Sequence, residues 1–64
     1  MKFAAAIKRA REGEWIRHTR PLMGLWMRLK NEKEFEDESG CLVALTVHHF
    51  DYQWEAKPDE RRAA

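Results

Sequence analysis

The segment Phe3–His18 reads FAAAIKRAREGEWIRH and combines a helix, a stop signal and the start of a strand. Four of its apolar residues recur at the i, i+3, i+4 and i+7 spacing of one helical face: Phe3, Ala6, Ile7 and Ala10. Gly13 is typical of the position that follows a helix C-terminus. The spacing therefore predicts a helix over residues 2–12.

Downstream of this helix the apolar residues follow the period of two that strands show. Residues 14–18 predict a short strand that Pro21 ends, because proline has no amide proton to donate. Residues 22–30 also alternate; they are compatible with a strand or a helix, and we favour the strand. Alternating large side chains over residues 52–56 predict a last strand, closed by Pro58.

The run CLVALTV, residues 41–47, is continuously apolar and predicts a central strand, with Cys41 as a small buried apolar residue. Residues 31–40 before it are acidic and predict a hairpin-like connection, and residues 48–51 after it predict a turn. Residues 58–64 have nothing to bury and predict a flexible tail.

These elements predict an α+β fold: one N-terminal helix packed on a small antiparallel sheet of about four strands. The chain of 64 residues forms one domain, 1–64, with the sheet within residues 14–57. Its composition, 44% hydrophobic with three Trp residues, is typical of a folded protein. Because so short a chain buries little apolar surface, we also expect a homo-oligomer.

The sequence has no uncharged apolar run of the roughly 18 residues that a membrane-spanning helix requires. The apolar start of the chain meets Lys8 and Arg9 too early for a secretory signal. Cys41 is the one cysteine, so it has no partner for an internal disulfide, which suits a reducing compartment. We expect a cytoplasmic protein without a membrane partner.

Charge is divided along the chain although the formal net charge is only +1. Residues 1–30 hold eight Lys/Arg and two Glu, a balance of +6, whereas residues 31–64 hold four Lys/Arg and nine Asp/Glu, a balance of −5. The simplest interpretation is that the two halves pair within the fold or between subunits. The alternative is one surface that attracts anions and one that repels them.

Catalytic patterns are weak in this sequence. The three glycines stand apart, so no glycine-rich phosphate loop is present, and Ser39 lacks the pattern of a nucleophile elbow. Adjacent strand residues point to opposite faces, so His48 and His49 are poorly placed to bind one metal ion, and Asp51 adds one further ligand at most. We expect no enzymatic activity, no cofactor and no metal site.

A basic and aromatic set is the best candidate binding site, and its members are Trp15, Arg17, Arg20, Trp26 and Arg28. An arginine fork binds phosphate at two points and a tryptophan face stacks on a base, so the set suits a nucleotide-like ligand. The same residue types bind single-stranded nucleic acid and dominate protein interfaces. The near-neutral whole chain makes nucleic acid the less favoured partner.

An acidic set is the candidate surface for a protein partner that normally binds nucleic acid. Its members are Glu32, Glu34, Glu36, Asp37 and Glu38. Carboxylates in a row can mimic phosphates towards a basic protein surface, and the basic half of the chain can dock on an acidic one. Both options stay open from the sequence.

Two segments resemble the Thoeris anti-defence 2-like family of small phage proteins. Residues 3–17 resemble its opening, a helix that ends at a glycine and leads into a strand with a basic residue, here Arg17. Residues 50–56, FDYQWEA, are similar to its closing Asp-x-x-Trp-Glu strand. The resemblance implies a ligand contact for Arg17 and structural roles for Asp51 and Trp54.

The resemblance further implies a homo-oligomer in the cytoplasm of a bacterial host that sequesters a cyclic nucleotide immune signal. We therefore expect a phage or mobile-element counter-defence protein that acts by binding. Small non-enzymatic proteins with divided charge also include anti-CRISPR inhibitors, so binding and inhibition of a CRISPR-Cas effector complex is the alternative. A small nucleic-acid-binding regulator is the second alternative.

Overall fold

The computed structural model describes residues 1–59 and has one helix packed on an antiparallel sheet of five strands. The elements in chain order are α1 (Phe3–Arg11), β1 (Trp15–Arg20), β2 (Met27–Leu29), β3 (Phe35–Asp37), β4 (Leu42–Val43), a 3-10 helix η1 (Val47–Asp51) and β5 (Gln53–Lys57). The strand order is β4-β3-β2-β1-β5, and each pair is antiparallel. The predicted α+β class is confirmed, with five strands rather than about four.

The helix lies on the sheet through its small residues. Ala6 and Ala10 are the buried residues of α1, and Phe3 and Ile7 pack beside them against the core. Alanine lets the helix axis approach the strands closely, while the basic residues stay outside. Gly13 has a φ of +93°, the conformation that glycine adopts most easily, and its N–H donates to the Ala10 carbonyl at 3.0 Å.

The core between helix and sheet is small and is built around Ile16, Met27 and Trp54. Ile16 is fully buried and lies opposite Met27 on one neighbouring strand and Ala56 on the other. Phe35 adds an aromatic ring from β3. Residues 22–30 contain a strand, as favoured, but it is limited to β2 because the segment from Pro21 to Trp26 is a loop.

The segment CLVALTV is not a central strand, which corrects the prediction. Only Leu42 and Val43 join the sheet, as its outermost strand, and the side chains of Leu42 and Val47 are 58% and 71% exposed. Cys41 is exposed rather than buried. The run leaves the sheet because Thr46 begins a 3-10 helix over the predicted turn.

The acidic connection over residues 31–40 contains a strand that its charges concealed. Phe35 is buried in the core and pairs with Leu29, which draws the flanking acidic residues into the ladder as β3. The turn that follows is organised by Asp37, whose Oδ1 accepts hydrogen bonds from the N–H groups of Ser39 and Cys41 at 2.8 and 3.0 Å. The burial of Phe35 thus decides that this segment forms a strand, although the composition of the segment is polar.

The two edges of the sheet differ. At the β5 edge, Trp54 N–H donates to the Met1 carbonyl at 2.7 Å and the Met1 nitrogen donates to the Trp54 carbonyl at 2.9 Å. At the other edge lies β4, which is two residues long. Backbone hydrogen bonding by Met1 therefore obstructs the β5 edge at Trp54.

The end of the described chain departs from the predicted tail. Residues 60–64 of that tail lie outside the described residues, but Asp59 is only 6% exposed and its carboxylate binds Arg28. A buried carboxylate with an arginine partner is part of the fold, so the prediction is wrong for Asp59. Within residues 1–59, no helix combines the length and apolarity needed to cross a bilayer.

Candidate binding surface

The sheet has one face under the helix and one without a covering element in the described part of the chain. Side chains alternate along β1, so Ile16 faces the helix while Trp15 and Arg17 face away. Trp15 is only 6% exposed, yet it lies outside the core cluster that packs against α1. We call the side away from α1 the open face; its residues are Trp15, Arg17, Trp26, Arg28, Glu36, Glu55 and Lys57.

One half of the open face is built on Trp15. The Arg28 guanidinium carbon lies 4.8 Å from the centroid of the Trp15 ring, within cation–π range. Arg28 Nε donates to Glu36 at 3.1 Å, and its Nη1 donates to Asp59 at 2.8 Å. Arg28 is thus held by two carboxylates while it shields the Trp15 ring from solvent.

The other half is built on Trp26. The Arg17 guanidinium carbon and the Lys57 ammonium nitrogen lie 4.5 and 4.4 Å from the Trp26 ring centroid. Arg17 Nε also donates to Glu55, its cross-strand neighbour. Two cations therefore lie over the Trp26 ring, and one of them, Arg17, is already paired with a carboxylate.

The open face is electrically balanced. It carries three cations, Arg17, Arg28 and Lys57, and its arginines bind the carboxylates of Glu36, Glu55 and Asp59. Each of these ion pairs joins the basic half of the sequence to the acidic half. The division of charge along the chain is therefore used, at least in part, for pairing within the fold.

The structure brings together four of the five predicted basic and aromatic site residues, namely Trp15, Arg17, Trp26 and Arg28. Arg20 does not join them. It lies exposed at the end of β1, beyond a register shift between His18 and Arg20. A strict period of two places Arg20 on the opposite side of β1 from Arg17, whereas the register shift sets Arg20 opposite Gln53, which shares a face of β5 with Glu55.

The acidic set is divided rather than continuous. Glu36 pairs with Arg28 on the open face, whereas its neighbour Asp37 points the other way along β3 and organises the turn. A hydrogen bond from the Ser39 hydroxyl, with further bonds from backbone N–H groups, holds the pKa of Asp37 below its usual 3.8. The remaining members are exposed: Glu32, Glu34 and Glu38.

Lys57, Glu55 and Asp59 belong to this surface and were missed from the sequence. Residues 53, 55 and 57 share one face of β5 by the period of two, which is a usable signal. Their position beside Arg17 and Trp15 depends on the β1–β5 register, in which Trp15 lies opposite Lys57 and Arg17 opposite Glu55. That pairing is not readable from one sequence.

No group of three or more His, Cys, Asp or Glu side chains within residues 1–59 is arranged to hold a metal ion. The structure does bring His18 next to His49, with ring centroids 5.0 Å apart, although the two are far apart in sequence. Ser39 donates its hydroxyl to Asp37 at 2.6 Å, so the one serine serves the turn.

Two hollows lie outside the open face. A shallow cleft of about 720 Å³ separates the end of α1 from the β2–β3 turn. An apolar groove of about 370 Å³ runs beside β4 and is lined largely by Phe3, Phe35, Leu42, Val43, Leu45 and Phe50. None of the five predicted basic and aromatic residues lines either of these two hollows.

Comparison with protein families, curated proteins and solved structures found no match to this chain. Its candidate function therefore depends on the geometry of the open face, the balance of its charges and the resemblance noted in the sequence.

Proposed function

We propose that the protein acts by binding, without catalysis, and that its open face contacts a protein partner. The observation that supports this most directly is the cation–π stacking of Arg28 on Trp15 and of Arg17 on Trp26 on one side of the sheet. Tryptophan and arginine are enriched among the residues that dominate the energetics of protein interfaces.

The charge balance favours a protein partner over nucleic acid. A phosphate backbone is bound by cations without carboxylate partners, and affinity depends on the number of phosphates neutralised. Arg17 and Arg28 already bind carboxylates. A protein surface with its own mixed charges can exchange ion pairs with this face and bury the Trp26 ring.

The resemblance to a phage counter-defence family supplies the proposed biological setting. In that setting the protein is a phage or mobile-element product in the cytoplasm of a bacterial host. Its partner is a bacterial immune complex such as a CRISPR-Cas effector. A homo-oligomer stays a prediction and is measured by native mass spectrometry of the purified protein.

Capture of a cyclic nucleotide is the second candidate, and the two cations at Trp26 favour it. Arg17 and Lys57 lie within 4.5 Å of the ring centroid, where a base stacked on Trp26 would bring its phosphates close to both. This binding requires a phosphate to replace Glu55 on Arg17. The surface is also open, so the ligand needs a second subunit to cover it.

The test is binding of the purified protein to purified CRISPR effector complexes and, separately, to cyclic dinucleotides, followed by native mass spectrometry. Trp26→Ser and Arg17→Glu should abolish binding of the true partner, because both remove the exposed half of the open face. Arg11→Glu is the matched control, since Arg11 is exposed on α1, on the other side of the sheet from the open face.

The two candidates give different results. A protein partner gives a complex with the mass of both proteins and no small adduct, whereas nucleotide capture gives a gain of a few hundred daltons per site. Equal binding by wild type, Trp26→Ser and Arg17→Glu would contradict both candidates. Loss of binding in Arg11→Glu alone would move the interface away from the open face.

A further inference from the structure

A cluster of aromatic rings joins β1, η1 and β5 on the helix side of the sheet. The ring centroids of His18 and His49 are 5.0 Å apart, and each lies 5.1 Å from the Tyr52 centroid. Trp54 completes the cluster at 5.5 Å from His18. The two imidazole rings are therefore in direct contact with each other, whereas the ion pairs of the open face join groups of opposite charge.

The hydrogen bonds of His49 define its protonation state. The Thr46 N–H donates to Nδ1 of His49 at 2.9 Å, and Thr46 Oγ1 lies 3.2 Å from the same nitrogen. A ring nitrogen that accepts from an amide carries no proton, so His49 is neutral with its proton on Nε2. His49 thus takes the place that Glu or Gln has in a capping box and accepts from the backbone N–H of Thr46, the residue that caps η1.

His18 has the opposite arrangement. Its Nδ1 lies 2.6 Å from the Leu22 carbonyl oxygen, which only accepts, so this nitrogen carries a proton. When His18 takes a second proton on Nε2, this bond is kept. When His49 takes a second proton on Nδ1, its bond from the Thr46 N–H is lost because two donors then face each other, and of these two Thr46 groups only Oγ1, 3.2 Å away, can accept from that nitrogen. The two histidines therefore respond differently to acid.

Side chains from β1, η1, α1 and β5 surround the 3-10 turn that carries His49. The titratable neighbours are His18 from β1, Tyr52 directly after η1, and His48 and Asp51 within η1. The helix contributes Phe3, whose ring lies 4.8 Å from that of Phe50 in η1. From β5, the Trp54 indole donates to the His49 carbonyl at 3.0 Å. Protonated His49 would face protonated His18 without an intervening carboxylate.

We propose that His49 is a proton-sensitive latch that holds η1 on the domain. Histidine side chains change charge between about pH 5 and 8. Protonation removes the acceptor for Thr46, places two like charges side by side and releases η1 from the body. Release breaks the bond from Trp54 to the His49 carbonyl and the contact between Phe3 and Phe50, which enlarges the apolar groove beside β4.

The experiment is an NMR titration of the whole protein from pH 8 to pH 5, following the Thr46 amide and the Trp54 indole N–H. The wild type should lose both hydrogen-bonded positions as the pH falls. His49→Gln should keep both across the range, because glutamine accepts in the same capping position and does not titrate. His48→Gln is the matched control and should behave like the wild type, because His48 is exposed.

Acid release in His49→Gln to the same extent as in the wild type overturns the latch, and so does loss of release in His48→Gln. A direct measurement covers the case in which the glutamine variant does not fold. The ring nitrogen shifts of His49 in the wild type at pH 8 should show an unprotonated Nδ1. A proton on that nitrogen overturns the proposal on its own.

Discussion

Arg28 and Asp59 connect the middle of the chain to the end of the described residues by one hydrogen bond of 2.8 Å. The Asp59 side chain is only 4% exposed, whereas that of Arg28 is 32% exposed because it lies over Trp15. The carboxylate is therefore the more buried of the two partners. The arginine keeps water and Glu36 as alternatives.

Replacing Arg28 by Met should destabilise the fold by about 1–3 kcal/mol, because it removes a charge-assisted hydrogen bond from a buried carboxylate. Urea unfolding measures the loss. The control is Arg17→Met, whose partner Glu55 is 41% exposed, so its effect should stay within about 1 kcal/mol. Asp59→Ala should cost less in the Arg28→Met background than in the wild type, because the bond between the two residues is already absent, and full additivity of the two changes would contradict the pairing.

Gly24→Ala should destabilise the fold by about 1–3 kcal/mol, the usual effect of adding a methyl group to a filled space. A Cβ at Gly24 would lie 2.4 Å from His18 Nε2, and the imidazole is held in place by Leu22. His18→Ala removes the clash, so Gly24→Ala should cost less in that background. Thermal unfolding of the wild type, the two single variants and the double variant gives the coupling free energy between the two positions. Equal costs in both backgrounds would show that His18 is not the obstacle.

Ala6→Leu should destabilise the packing of α1 on the sheet by about 1–3 kcal/mol, because Ala6 is fully buried against the core and has no room for three more carbons. Ala5→Leu is the matched control, since Ala5 is exposed on the same helix. Its effect on the unfolding midpoint should be within error. A larger loss for Ala5→Leu than for Ala6→Leu would reverse the assigned face of the helix.

Asp37→Asn should remove a pH-dependent part of the stability. The pKa of Asp37 is lowered in the folded state, first by the Ser39 hydroxyl, so its ionised form stabilises the fold above the ordinary pKa of 3.8. This contribution is lost as the pH falls through the lowered pKa. The difference in unfolding midpoint between wild type and Asp37→Asn should be largest at neutral pH and should shrink towards pH 2. A constant difference would contradict the assignment.

Much of the fold was readable from the sequence because helix, glycine and strand signals agree over residues 3–18. The helix prediction differs from α1 by one residue at each end, and the last strand is found where the alternation of Tyr52 and Trp54 indicates. Apart from the buried Asp59, the errors lie in residues 31–47. There one buried ring, Phe35, makes a strand within an acidic segment, and the most apolar segment has no second layer to cover it.

The candidate surface was readable in part for a related reason. Residue type and the period of two group Trp15 with Arg17, and Trp26 with Arg28, and the structure places all four on one face. Glu55 and Lys57 come from β5, about 40 residues after Arg17, and Asp59 follows that strand. Their position beside β1 depends on how the whole sheet assembles. A local pattern therefore finds the two arginines and the two rings, and not the groups that β5 and Asp59 bring to them.

The backbone hydrogen bonds between Met1 and Trp54 make the two edges of the sheet unequal in their ability to accept a further strand. A foreign strand that arrives at β5 must first displace Met1, whereas one that arrives at β4 meets no such obstacle. In a dimer joined through the two β4 strands, the outer edge of each copy would be β5, which Met1 obstructs. Edge-to-edge association of this protein would therefore end as a closed pair and not extend into a fibre.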